Sequence, residues 1–123
     1  MDKKKPMTFE SRRNSFVYAF KGIARLFKQE PNARLHALIT VMVIAAGIYK
    51  HLRPMQWIAI AIAIGLVWIV EAVNTCVEML CDMYCNNEWH PTVKIIKDIA
   101  AGAVLLAACT SAAIGIFIFF FQT

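Results

Sequence analysis

The feature that most constrains this chain is an apolar run without charge that leads directly into a row of polar side chains. The run covers residues 55–70, and polar side chains then recur on one side of the predicted helix: Glu71, Asn74, Thr75, Glu78 and Asp82. At about 100° per residue, these positions lie within an arc of about 100°. A carboxylate on a membrane helix is costly unless it faces protein, water, a metal ion or a partner. The stretch therefore indicates a functional site on a membrane-embedded helix.

The rest of the chain also has the composition of a membrane protein. Its hydrophobic content is 59% and its mean hydropathy is +0.56, whereas soluble domains contain roughly 45–50% apolar residues. Long apolar stretches separated by polar breaks predict transmembrane helices over residues 32–51, 55–84 and 92–121, the last with Thr92 as its cap. We therefore predict an all-α membrane protein in which residues 1–123 form a single membrane domain.

The N-terminal part is strongly basic. Residues 1–10 are predicted to be a flexible tail, and residues 11–29 an amphipathic surface helix with Phe16, Phe20 and Phe27 on its apolar side. Nine of the 13 Lys and Arg residues lie at or before Arg34. By the positive-inside rule, we expect a cytoplasmic N-terminus, and we predict a multi-pass protein of the inner (cytoplasmic) membrane. Because the remainder is lipid-like, this charge indicates a membrane surface and not a nucleic acid.

Two other interpretations of short segments are disfavoured. No apolar core follows the first basic residues within signal-peptide distance, so no cleaved targeting segment is predicted. The four cysteines lie in apolar or helical context and are expected to be reduced. Cys81, Cys85 and His90 match no common zinc spacing, and no fourth ligand is obvious.

The predicted topology gathers polar side chains at the cytoplasmic end of the bundle. Carboxylates, an amide and cations at a membrane–cytosol boundary suit phosphoryl transfer from a soluble phosphate donor to a lipid hydroxyl. Glu30 and Glu78, and Asp82 less strongly, are chemically suited to Mg²⁺, and Lys97 to a phosphate contact. His90 fits a hydrogen bond at a helix end better than a base. Neither of the common soluble ATP-binding loops is present in the sequence.

Four motifs resemble the prokaryotic diacylglycerol kinase family, which includes the undecaprenol kinases. The resemblance covers roughly residues 11–115, and the motifs of the second and third predicted transmembrane helices are the most specific. The motifs are Ser15-Phe16-x-Tyr18-Ala19-Phe20-x-Gly22, Glu30-x-Asn32-x-Arg34-x-His36, Glu71-x-x-Asn74-Thr75-x-x-Glu78-x-x-x-Asp82, and Glu88-Trp89-His90-Pro91-x-x-Lys94-x-x-Lys97-Asp98-x-Ala100-Ala101-Gly102-Ala103-Val104-Leu105.

The resemblance implies a homotrimer with one surface helix and three transmembrane helices per subunit. It also implies ATP and Mg²⁺ as cofactors and a lipid alcohol as substrate. The residue roles it implies are Glu71 as general base, Asn74 as orienting residue, Glu30 and Glu78 as Mg²⁺ ligands, Lys97 and Asp98 as nucleotide contacts, and Glu88 and His90 as further nucleotide contacts.

The sequence leaves two lipid substrates open, and it leaves two other functions open besides a kinase. The segments around His90-Pro91 and residues 97–105 favour the undecaprenol kinase branch, while diacylglycerol stays open. A small channel or transporter would need polar residues along the whole bilayer path, and residues 55–70 and 99–121 carry no charge. A non-enzymatic membrane adaptor would need no ordered row of carboxylates.

Overall fold

Four helices joined by short breaks account for nearly all of the chain in the computed structural model, which describes residues 8–121. They are α1 (Phe9–Gln29), α2 (Pro31–Tyr49), α3 (Pro54–Cys85) and α4 (Pro91–Ile116), and a π-helical turn (Phe117–Phe121) extends α4. Within the described residues, α2, α3 and α4 with its extension are long and apolar enough to cross a membrane.

Local sequence signals set the ends of the helices. Thr8 caps α1 by accepting the Ser11 N–H on Oγ1 at 3.1 Å. A proline stands at the first position of α2, α3 and α4, where its missing N–H costs nothing. Asn86, which ends α3, has φ 52°, a left-handed conformation that asparagine adopts more readily than most residues.

Helices α2, α3 and α4 each run antiparallel to the one adjacent in sequence. Trp68 Nε1 of α3 donates to Thr40 Oγ1 of α2 at 3.1 Å, while Trp57, earlier in α3, lies against Gly47, later in α2. Ser111 Oγ of α4 donates to the Ala63 carbonyl of α3 at 2.8 Å. The α3–α4 contact is much the most extensive. This arrangement brings the start of α2, the end of α3 and the start of α4 to the same end.

The predicted helices agree closely with the observed ones. Helix α1 begins at Phe9 and not at residue 11, because Thr8 supplies the cap. The rest of the predicted tail, residues 1–7, lies outside the described residues. Capping by Thr92 is wrong: Pro91 takes the first helical position, so the preceding His90 is the cap. No residue of α1 is buried, and both its surface location and the homotrimer stay predictions.

Gly47 should be intolerant of larger side chains because α2 approaches α3 closely there. A Cβ added at Gly47 would lie 2.7 Å from Trp57 Cη2 and 3.0 Å from Leu52 Cδ1. We expect Gly47→Val to destabilise the protein by about 1–3 kcal/mol through overpacking, measured by thermal unfolding in detergent micelles. Gly65→Val is the matched control, since a Cβ there meets nothing within 4 Å. Equal changes in the two variants would contradict the prediction.

Candidate active site

The end of the bundle where α2 begins, α3 ends and α4 begins carries most of the predicted site residues. The polar row of α3, from Glu71 to Asp82, is buried at its beginning and closer to the surface towards its end. Glu71, Asn74 and Thr75 are buried, whereas Glu78 and Asp82 are half-buried. The first part of the row therefore lies inside the protein, and Glu71 contacts His36 of α2 there.

Glu71 is the most enclosed charged side chain that the structure describes. The residue is 1% exposed, and its Oε2 lies 3.3 Å from Nε2 of His36 on α2. A buried carboxylate without a partner would cost several kcal/mol. The imidazole of His36 therefore provides the hydrogen bond that makes this buried position tolerable.

Aromatic and hydroxyl groups surround the His36–Glu71 pair. The Trp68 ring meets the His36 ring edge-on, with the ring centroids 6.2 Å apart. Trp68 Nε1 donates to Thr40 Oγ1, and that hydroxyl donates to the His36 carbonyl at 2.7 Å. Phe27 of α1 packs on Trp68 at 5.3 Å between centroids. Three helices thus fix the position of the pair.

Asn74 and Glu78 form a second polar pair, one turn further along α3. Asn74 Nδ2 donates to Glu78 Oε1 at 2.9 Å. Because an ionised carboxylate only accepts hydrogen bonds, the amide nitrogen must face Glu78 and Oδ1 must point elsewhere. Oδ1 is buried and has no hydrogen-bond partner. The pair thus offers one carboxylate and one unpaired amide oxygen, which are the donor types that Mg²⁺ prefers.

Glu30 lies at the break between α1 and α2. Its N–H donates to the Leu26 carbonyl at 3.0 Å, and its Oε1 accepts the Asn32 N–H at 3.4 Å. It therefore ends one helix and caps the next. Glu30 is placed at the same end of the bundle as Glu78, and the structure gives no contact between them.

The cations of α4 are held in two separate ion pairs. Lys97 Nζ donates to Asp82 Oδ1 of α3, which joins the two helices at the predicted site. Lys94 Nζ donates to Asp98 Oδ1 at 2.6 Å along α4 itself, and both side chains are mostly exposed. The predicted nucleotide contacts Lys97 and Asp98 thus have different partners and do not contact each other.

The remaining predicted contacts lie in the connection between α3 and α4. Glu88 is exposed, and its N–H donates to the Cys85 carbonyl at 2.9 Å. His90 Nδ1 accepts the N–H groups of Thr92 and Val93, at 3.2 and 3.5 Å. The helix-end role expected for His90 is therefore found, and the cap occupies its Nδ1.

Among residues 8–121, no three or more His, Cys, Asp or Glu side chains gather into a group that could hold a metal ion. This does not conflict with Mg²⁺, which is commonly bound by one or two carboxylates together with substrate phosphates and water. The assignment of Glu30 and Glu78 as ligands stays a prediction.

Two contacts of the site were missed from the sequence. His36 belongs to a motif, and it is one of few polar residues in an otherwise apolar helix, but no role was predicted for it. Asp82 was singled out without a clear partner. In both cases the signal was a polar side chain in or beside a long apolar helix, and its partner depends on how adjacent helices align.

These observations define a class: a helical, multi-pass membrane protein with an enclosed carboxylate and a cation-bearing rim at one end. Residues 17–119 match the model of the family described as "Prokaryotic diacylglycerol kinase". The chain belongs to this family of membrane lipid kinases, so the predicted family is confirmed.

Two relatives are similar over most of the chain. A Synechocystis protein named "Diacylglycerol kinase" is 39% identical over 101 residues, which cover 82% of this chain and 58% of that protein. A Bacillus subtilis protein named "Undecaprenol kinase" is 36% identical over 105 residues, which cover 85% of each chain. The chain therefore spans little more than half of the first relative and most of the second.

Proposed function

We propose that this protein transfers the γ-phosphoryl group of ATP to the hydroxyl of a membrane lipid alcohol, giving ADP and a lipid phosphate. The observation that carries the proposal is the buried carboxylate of Glu71 on α3, which directly follows an uncharged run and is hydrogen-bonded by His36 of α2. A carboxylate at such a position is costly for folding and is characteristic of a functional site. Membership of a lipid kinase family supports this reaction class.

In the proposed reaction, Glu71 is the general base. The hydroxyl oxygen of the lipid attacks the γ-phosphorus while the bond to the ADP oxygen breaks, and Glu71 takes the hydroxyl proton. Catalysis of this reaction is mainly positioning and electrostatic stabilisation. Asn74 orients the reacting groups, and Lys97 and Asp98 contact the nucleotide, with Glu88 and His90 as further contacts from the connection before α4.

Glu30 and Glu78 are proposed to hold Mg²⁺ bound to ATP. The Glu78 carboxylate, which accepts the Asn74 Nδ2–H, supports a hard cation at this position, and the unpaired Oδ1 of Asn74 is a second oxygen in the same turn of α3. When bound, the ion would neutralise charge on the phosphate oxygens. Lys97 already neutralises Asp82 in the structure, so its contact with a phosphate would replace that ion pair or share it.

The site is proposed to face the cytoplasm, where ATP is available. Lys28, Arg34, Lys94 and Lys97 lie at the site end of the bundle, and Lys50 and Arg53 lie at the other. This distribution supports a cytoplasmic N-terminus and an inner-membrane location. The exposed apolar side chains Phe16 and Phe20 support a membrane-surface position of α1. The many exposed apolar residues of α2–α4 leave room for the proposed homotrimer and for lipid.

Diacylglycerol and undecaprenol are the two proposed substrates, by similarity to the two named relatives. Both present a primary hydroxyl at the membrane interface, so the same groups could act on either. The undecaprenol kinase relative matches the chain over a larger share of its own length, and the motif around His90-Pro91 favours the same branch. The product would be undecaprenyl phosphate, or phosphatidic acid for diacylglycerol, in cell-envelope or phospholipid metabolism.

The test is transfer of labelled phosphate from MgATP in mixed micelles, with diacylglycerol and undecaprenol offered in parallel. We expect label in at least one lipid, and the ratio of the two rates identifies the preferred substrate. Folded protein that labels neither lipid would contradict both substrate assignments. ATP-independent ion flux through reconstituted vesicles would favour the channel, and neither activity would favour the adaptor.

A further inference from the structure

The carboxylate of Glu71 is enclosed, but its two oxygens are not equivalent. The Glu71 side chain is 2% exposed and that of His36 is 18% exposed. Oε2 faces His36 Nε2 at 3.3 Å, and this is the one side-chain hydrogen bond that the Glu71 carboxylate makes among residues 8–121. When Glu71 is ionised, its oxygens only accept, so the ring nitrogen must be the donor.

The backbone of His36 is linked to α3, and its ring packs on a tryptophan. The hydroxyl of Thr40 links the His36 carbonyl to the Trp68 indole, through hydrogen bonds of 2.7 and 3.1 Å. The Trp68 and His36 rings also pack in a T-shaped arrangement, with their centroids 6.2 Å apart. These contacts join α2 to α3 beside Glu71 and resist displacement of His36 away from the carboxylate.

We infer that His36 is a positioning residue for Glu71: its Nε2–H holds Oε2 and leaves Oε1 to receive the proton of the lipid hydroxyl. The inference rests on the proposed function, in which Glu71 is the base. His36 exchanges no proton in this scheme. It fixes the orientation of the carboxylate, which is the part that a third group plays when it orients a catalytic base.

The test compares two replacements of His36 in the full-length protein. His36→Gln keeps an N–H donor at a similar reach, and His36→Leu removes the donor while keeping bulk. We expect His36→Leu to lower kcat by about tenfold or more with little change in KM for ATP, because the base is disordered while nucleotide contacts remain. His36→Gln should restore most of the rate. His51→Asn, at the distant α2–α3 turn, is the histidine-loss control and should match the parent.

A double-variant cycle separates positioning from a merely structural role. In a Glu71→Gln background, His36→Leu should have no further effect on the residual rate, because there is no base left to orient. An unchanged kcat in His36→Leu, or the same fold loss in both backgrounds, would overturn the inference. If His36→Leu does not fold, His36→Asn, which is polar but too short to reach, takes its place in both comparisons.

An NMR measurement on histidine-labelled protein tests the contact without using activity. We expect a downfield Nε2–H signal of His36 that moves upfield in Glu71→Gln, since a charge-assisted hydrogen bond becomes a neutral one. A signal unaffected by Glu71→Gln would overturn the pairing. A parent protein that labels no lipid would overturn the proposed function and, with it, the role in catalysis. If the parent and His36→Leu are both fully active, the positioning role of His36 is wrong while the proposed function stands.

Discussion

Replacing Glu71 by glutamine is expected to lower the rate of lipid phosphorylation by about 10²–10⁴-fold, the usual contribution of a general base. Glutamine has nearly the same shape and can still accept the His36 N–H through its carbonyl oxygen, but it cannot take a proton from the lipid hydroxyl. The measurement is initial velocity with labelled MgATP and the preferred lipid in mixed micelles. Glu10→Gln in the first turn of α1 is the matched control, because it removes the same charge away from the site.

The same substitution should leave folding stability unchanged or raise it. Glu71 is 1% exposed, and taking a charge out of water costs free energy that a neutral amide does not incur to the same extent. A loss of activity with no loss of thermal stability is the pattern of a residue kept for function at a cost to stability. If Glu71→Gln retained its activity, the general-base assignment would be wrong. Parallel losses of activity and stability would instead indicate a structural role.

The helix bounds were largely predictable because the residues that start and end each helix are local in the sequence. Prolines begin α2, α3 and α4, and polar residues separate the apolar runs, so the predicted helix bounds lie within a few residues of the observed ones. The cap of α4 was mispredicted for an equally local reason. A proline favours the first position inside a helix, which moves the cap to His90, one residue before it.

The polar side of α3 was also predictable from the sequence of that helix alone. Helical periodicity places Glu71, Asn74 and Glu78 on one side, and the structure has this side facing inward at Glu71 and Asn74. The hydrogen bond from Asn74 to Glu78 follows from their spacing of one turn. Contacts within one helix depend on its own geometry, which the sequence encodes directly.

Contacts between helices were not predictable in the same way. His36 and Glu71 are 35 positions apart, and Asp82 and Lys97 are 15 apart. Whether such side chains meet depends on the relative rotation and axial offset of two helices, and side-chain packing sets both. Close approach at Gly47 and Trp57 helps to fix the offset of α2 on α3. A shift of α2 by one residue would turn His36 about 100° away from Glu71.

Glu78→Gln is expected to raise the Mg²⁺ concentration needed for half-maximal activity by at least about tenfold, because carboxylate oxygens are the protein ligands that Mg²⁺ prefers. The glutamine side chain can still accept the Asn74 N–H, so the local structure should persist. The substitution should therefore weaken Mg²⁺ binding specifically. The measurement is initial velocity against Mg²⁺ at fixed ATP. Excess Mg²⁺ should recover part of the rate, which it cannot do for Glu71→Gln, where a base is missing.

Two companion variants make the metal assignment specific. Glu30→Ala, at the α1–α2 break, should shift the Mg²⁺ dependence in the same direction if the two carboxylates share one ion. Asn74→Ala should shift it less, since it removes the unpaired Oδ1 and the amide that holds Glu78 Oε1, but keeps both carboxylates. Glu10→Gln should leave the Mg²⁺ curve unchanged. A Glu78→Gln variant with the parental Mg²⁺ curve would show that Glu78 holds no metal, and a parental curve for Glu30→Ala alone would restrict the site to α3.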